Sequence, residues 1–232
     1  PMNRTLNVVR MQLVNRATYI WVPLIILGGT LVISLAIFGL IASSGADAEM
    51  FGGGAQAPLW YFGVVGVQAL TLTFPFSQAM SVTRREFYLG TLLTAALTSF
   101  VLAVLFIVGG LIERATSGWG LGGYMFYLPW VWSQGPVVAG LFFFGLAMLF
   151  FVVGFCAATV YKRWGNLVLT IVLVSLGFVM IGAMWLVGQL RAWDDLFAFF
   201  GSLTPIALTG VMVLVGAMLA ALSYRMLRRA IA

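Results

Sequence analysis

The sequence predicts an all-α polytopic membrane protein of six transmembrane helices, with both termini cytoplasmic and an N-terminal amphipathic interfacial helix. Three observations predict it. Of the 232 residues, 62% are hydrophobic and only 8% are charged, against roughly 25% charged in soluble domains. The apolar residues fall into six runs, each near the ~20 residues a helix needs to cross a hydrocarbon core. Ten of the twelve basic residues lie at one set of alternate run ends, the pattern that marks the cytoplasmic side.

Residues 1–19 form the interfacial segment: Met2, Leu6, Val9 and Leu13 recur at helical spacing, with Arg4, Arg10 and Arg16 among them. Such a helix lies along the cytoplasmic interface, although a frayed basic tail would fix topology equally well. Residues 20–232 form the six-helix domain, with spans expected at 20–42, 59–82, 88–112, 136–161, 167–189 and 206–223. The loop after the first span carries Gly52, Gly53 and Gly54 and is expected to be mobile. The loop after the third holds Trp119, Tyr124, Phe126, Tyr127, Trp130 and Trp132, rings suited to headgroup depth. Between the fifth and sixth spans, Trp193 to Phe200 reads as a short helix at the outer leaflet, closed by Pro205.

Charge settles the expected orientation. Arg4, Arg10, Arg16, Arg84, Arg85, Lys162, Arg163, Arg225, Arg228 and Arg229 share one side, whereas five of the six acids, Asp47, Glu49, Glu113, Asp194 and Asp195, lie opposite with Arg114 and Arg191. The net charge of +6 is therefore a topology signal, and no nucleic-acid partner is expected. Histidine is absent and Cys156 is the only cysteine, which removes support for a metal site, a disulfide framework or a Ser-His triad. No phosphate-binding G-x-x-x-x-G-K-[ST] loop occurs. The chain is thus expected to be no enzyme and to bind no cofactor or metal itself.

Two polar stripes interrupt the apolar runs. Gln68, Thr71, Pro75 and Gln78 share one face of the second span. Glutamine is costly against hydrocarbon, so this face should meet a partner helix, through interhelical hydrogen bonds, or line a wet path. Thr91, Thr94 and Thr98 form a weaker stripe, since threonine can return its hydroxyl to its own helix. Pro75 should kink the second span.

The most specific stretch is Ser77-Gln78-Ala79-Met80-Ser81-Val82-Thr83-Arg84-Arg85-Glu86-Phe87-Tyr88-Leu89-Gly90-Thr91. It resembles the Ser/Thr-Arg-Arg-x-Phe-Tyr/Phe-x-Gly pattern of bacterial permeases of the type-2 ABC exporter class, and the six-span layout agrees along the whole chain. The resemblance implies a transmembrane subunit in the bacterial cytoplasmic membrane that pairs with a second permease copy and two ATP-binding cassette ATPase subunits, which hold the ATP and Mg. It implies that Thr83, Arg84, Arg85, Glu86, Phe87 and Tyr88 form the coupling helix seated in the ATPase, with Arg4, Arg10 and Arg16 as secondary contacts. Without the resemblance, Arg84 and Arg85 read equally as topology determinants on lipid headgroups. It further implies that the second and fifth spans line the central path, which places Gln68 and Thr71 there. The segment between spans five and six is short for such a permease. The function expected is outward movement of an amphiphilic or hydrophobic substrate, a drug, peptide or lipid, by alternating access. A secondary carrier or channel, or a non-transporting immunity or scaffold protein, remains the alternative.

Overall fold

The computed structural model describes residues 4–45 and 49–229; Met2, Asp47 and the side chains of Arg4 and Arg229 lie outside the described residues. Among the described residues nine α-helices follow in order: α1 Arg4–Val14, α2 Val22–Ser43, α3 Gln56–Gln68, α4 Phe74–Ala79, α5 Arg84–Ala115, α6 Pro129–Trp132, α7 Pro136–Gln189, α8 Trp193–Ser202 and α9 Pro205–Arg229. Five helical stretches among these residues are long and apolar enough to cross a membrane: Ala17–Ser43, Gly53–Ala79, Arg84–Ala115, Pro136–Gln189 and Pro205–Arg228.

Proline sets much of this pattern. Pro129, Pro136 and Pro205 open α6, α7 and α9, where the missing N–H is an orphan in any case. Pro23 and Pro75 lie inside longer apolar stretches, and each follows a five-residue π-turn, Ala17–Trp21 and Ala69–Thr73. A proline ring clashes with the carbonyl four residues back. The widened turn relieves that clash, so the kink expected at Pro75 takes the form of a π-bulge, and Pro23 repeats it.

The first half of α7 is the central post, with α3, α5 and α9 packed around it. Backbones touch where glycines allow it: a Cβ on Gly66 would run into the Phe151 carbonyl, and one on Gly154 into that of Gly63. Phe106, Phe143, Phe151 and Phe155 fill the interior. At 54 residues, α7 would be about 81 Å long if straight, over twice the thickness of a hydrocarbon core. Its geometry breaks at Gly165, whose φ of +83° is open to glycine at little cost.

The two sides of that break differ. Gly145 faces Thr209 and Met212, the Ile206 N–H donates to Gln134 Oε1 at one end, and Arg163 shares a cleft with Arg225 at the other. The first half of α7 and α9 therefore run in the same direction, and the chain between them must travel back. Residues 166–189 cover that return, and they are exposed almost throughout, as is α8.

Residues 49–55 and 116–135 pack on each other and on the bundle. Met50–Phe51 pairs in parallel with Gly123–Tyr124. Gly54 is closely packed, since a Cβ there would lie 2.7 Å from Ser34 Oγ and 3.1 Å from Met125 Sδ. Gly52 and Gly54 thus permit close approach to Phe38 and Ser34. Phe126 and Trp132 are buried in the core, and Trp130 is the exposed ring of the group.

Candidate functional site

The stretch singled out by sequence lies where three elements converge. The turn between α4 and α5 is closed by its own backbone: the Met80 and Val82 N–H groups both donate to the Ser77 carbonyl, and Ser81 adopts a left-handed φ of 57°. Gln78 Nε2 donates to the Val82 carbonyl at 3.1 Å. Thr83 then caps α5. Its Oγ1 accepts from the Glu86 N–H, and Glu86 Oε2 accepts from the Thr83 N–H at 3.0 Å. Two orphan donors are satisfied reciprocally, and the carboxylate sits at the positive end of the helix dipole.

Beyond the cap, the side chains divide between inward and outward roles. Phe87 is 0% exposed, edge-on to Phe74 at 5.1 Å. Tyr88 packs against Phe155 and Tyr224 and donates its hydroxyl to the Ala220 carbonyl at 2.6 Å. Both belong to the chain's own core and offer no apolar anchor to a partner. Arg84 Nη1 reaches the Leu227 and Arg228 carbonyls at 3.4 and 3.3 Å, close to the limit of a hydrogen bond, at the last turn of α9. Arg85 is exposed, as are Ser81 and Thr83.

The N-terminal helix is seated on the same place. Gly90 has no side chain because α1 lies against it, a Cβ there falling 2.6 Å from Val8 Cβ and 3.0 Å from the Thr5 carbonyl. Gln12, 1% exposed, donates to Thr91 Oγ1 at 2.8 Å. The buried face of α1 is Val8, Val9 and Gln12, while Leu6 is exposed. The expected stripe through Leu6 and Leu13 is thus rotated by about one residue, because Gln12 finds a polar partner inside. Arg10 and Arg16 point outward.

The stripe of the second apolar stretch splits at its bulge. Gln68 and Thr71 are half-buried, whereas Pro75 and Gln78 are exposed. Thr71 returns its hydroxyl to the Val67 carbonyl at 2.9 Å, and Gln78 is engaged by the turn. Gln68 has no side-chain hydrogen bond among the described residues. Thr94 and Thr98 donate to carbonyls one turn back in α5, and Thr91 instead receives Gln12.

At the opposite end stands a residue that sequence reasoning assigned only to a loop. Glu113 is 0% exposed and accepts four hydrogen bonds, from Trp119 Nε1 at 3.1 Å and from the Met125, Phe126 and Tyr127 N–H groups at 3.0, 2.7 and 2.7 Å. A lone acid at the end of an apolar run, followed by a glycine-rich aromatic segment, is the signal that was available. No cluster of metal-ligating side chains occurs among the described residues. No family model, curated protein or solved structure matches the chain.

Proposed function

We propose that the chain is the permease subunit of an ATP-driven exporter of the type-2 ABC class. In this reading it crosses the bacterial cytoplasmic membrane six times with both termini inside. It pairs with a second copy or a paralogue and takes its energy from two separate ATPase subunits that bind ATP and Mg. The observation that carries this reading is the convergence at residues 77–91. A rigid, capped turn presents Ser81, Thr83 and Arg85 outward, and is bonded behind to α1 through Gly90 and Gln12–Thr91, and to α9 through Arg84 and Tyr88. A displacement applied at Arg85 reaches three helices at once, as a coupling element requires.

Two further features support it. The apolar helix of residues 166–189 is exposed almost throughout among the described residues, as suits a helix completed by a second permease. An apolar cleft of about 260 Å³ opens between α1, α3, α5 and the start of the first apolar stretch, lined by Leu13, Tyr19, Pro23, Phe62, Leu97 and Leu102 among others. Its chemistry suits an amphiphilic or hydrophobic substrate. Gln68, with no side-chain hydrogen bond among the described residues, and Thr71 are the candidate path-lining residues.

Co-expression with the candidate ATPase tests the proposal. The wild-type complex should hydrolyse ATP, and the isolated chain should not. Arg85→Ala should leave the permease folded and weaken retention of the ATPase by about thirtyfold, ~2 kcal/mol, the loss typical of a truncated interface hot spot. Transport by the isolated chain down an ion gradient would overturn the reading in favour of a carrier.

A further inference from the structure

A second site lies beside the coupling turn, where α7 breaks and α9 ends. Arg163, Arg225 and Arg228 line one open cavity of about 600 Å³, with Leu222 and Met226 as its apolar wall. No acidic side chain lines it among the described residues. The only acid that the sequence places at this end of the molecule is Glu86, which is already committed to capping α5. Three guanidiniums around one space repel each other unless an anion joins them.

Two of the three are held in position. Arg163 lies 4.5 Å above the Trp164 ring and Arg228 5.9 Å from that of Tyr224, contacts that orient a guanidinium while leaving its N–H fork open. The backbone beneath is fixed by Arg84, which reaches the Leu227 and Arg228 carbonyls. Leading away from the cavity along α9, Leu222, Met218 and Leu214 recur at four-residue spacing and are all at least half exposed, at 50, 65 and 61%. The arrangement is amphiphilic: cationic forks at the helix end and an apolar track along the helix.

We propose that this cavity binds a phosphate group carried by an anionic phospholipid, with the phosphate among Arg163, Arg225 and Arg228 and an acyl chain along Leu222, Met218 and Leu214. Guanidinium forks match phosphate oxygens bidentately, and a basic pocket between helices at the membrane surface is suited to an anionic headgroup. The apolar track distinguishes a lipid from free phosphate, which has no use for it.

The purified chain, titrated with phosphatidylglycerol or phosphatidylcholine and read by native mass spectrometry, tests this. Phosphatidylglycerol should be retained at least tenfold more strongly. Arg225→Gln should lower its retention about fivefold, and Arg163→Gln with Arg225→Gln about thirtyfold, with phosphatidylcholine unchanged. Should the double variant fail to fold, the wild type decides: 0.5 M salt should erode the preference for phosphatidylglycerol and leave phosphatidylcholine unaffected. Equal retention of the two lipids, or an unchanged preference in the double variant, would overturn the proposal. Inorganic phosphate binding as tightly as phosphatidylglycerol, and lost in the same variants, would overturn its lipid half. Lost retention of a partner protein in these variants, with lipid preference intact, would assign the cavity to that protein instead.

Discussion

The two ends of the helix bundle are organised by opposite uses of charge. At the end where α5 finishes, one buried carboxylate, Glu113, gathers three backbone N–H groups and an indole N–H into a closed knot. At the end where α5 begins, Glu86 is spent within its own cap and Arg84 on the end of α9, while Arg85, Arg225 and Arg228 point outward. Each end thus engages one acid internally, and they differ in the charge left at the surface: Glu49, Asp194 and Asp195 mixed with Arg114 and Arg191 at the first, arginines at the second. Among the described residues what differs is the sign of the exposed charge, mixed at the Glu113 end and cationic at the end where α5 begins. That contrast places the expected contacts at the basic end.

Replacing Phe87 by Ala should give the largest effect, because it empties a fully buried site against Phe74 in the basic end's own scaffold. A loss of about 3 kcal/mol or more is expected, read as a lowered unfolding midpoint in detergent even without any ATPase present. If Phe87→Ala left stability intact and only reduced ATPase binding, the residue would be an external anchor, and its inward assignment would fail.

Glu113→Gln probes the opposite end. The amide keeps one acceptor oxygen but turns an NH2 group toward donors, leaving at least one buried N–H unpaired at a cost of about 2 kcal/mol. Limited proteolysis should then cut within residues 116–135, while the turn at 77–91 stays protected. Equal exposure of both ends would mean that they are not independent.

Particular residues show how far the sequence discloses this. The apolar helices, the proline starts and the chain reversal near Gly165 follow from hydropathy, from the missing proline N–H and from glycine at a basic boundary. Thr83-Arg84-Arg85-Glu86 carries a capping-box signature that is plain in sequence, yet the paired arginines draw attention to charge instead. Gln12 stands in sequence only as a polar residue; its burial depends on Thr91, 79 positions away. Hydropathy likewise could not separate residues 136–161 from 166–189. Both are apolar runs containing small residues, but only the first meets Gly63, Gly66 and α9 within the same chain. At the turn of residues 77–91, sequence supplied the location and the outward Arg85, whereas the inward fate of Phe87 and Tyr88 rests on long-range packing.

Thr83→Ala should have a smaller effect, about 1 kcal/mol for the lost cap, and should fray only the first turn of α5. Hydrogen exchange at the Glu86 N–H reads this directly, with Glu113 and its loop unaffected. Slowed or unchanged exchange there would mean that the turn is held by Ser77 and Gln78 alone.

The smallest effect on stability is expected from Gln68→Leu, and for that reason it separates packing from function most cleanly. Gln68 is half-buried beside the π-turn, with no hydrogen-bond partner among the described residues. Removing a hydrogen bond between helices in a membrane costs on average about 0.6 kcal/mol, but here none among the described residues is lost, and an apolar side chain of similar size relieves a desolvated amide. The unfolding midpoint of the isolated chain should therefore hold or rise slightly. If Gln68 lines the path in the assembled permease, the same change should alter substrate-stimulated ATP hydrolysis or the range of compounds exported, with basal hydrolysis and subunit retention unchanged. A lowered midpoint in the isolated chain would reveal a hidden packing role. Unaltered stimulation and export would remove Gln68 from the path and leave the apolar cleft beside Tyr19 and Phe62 as the place to search for substrate.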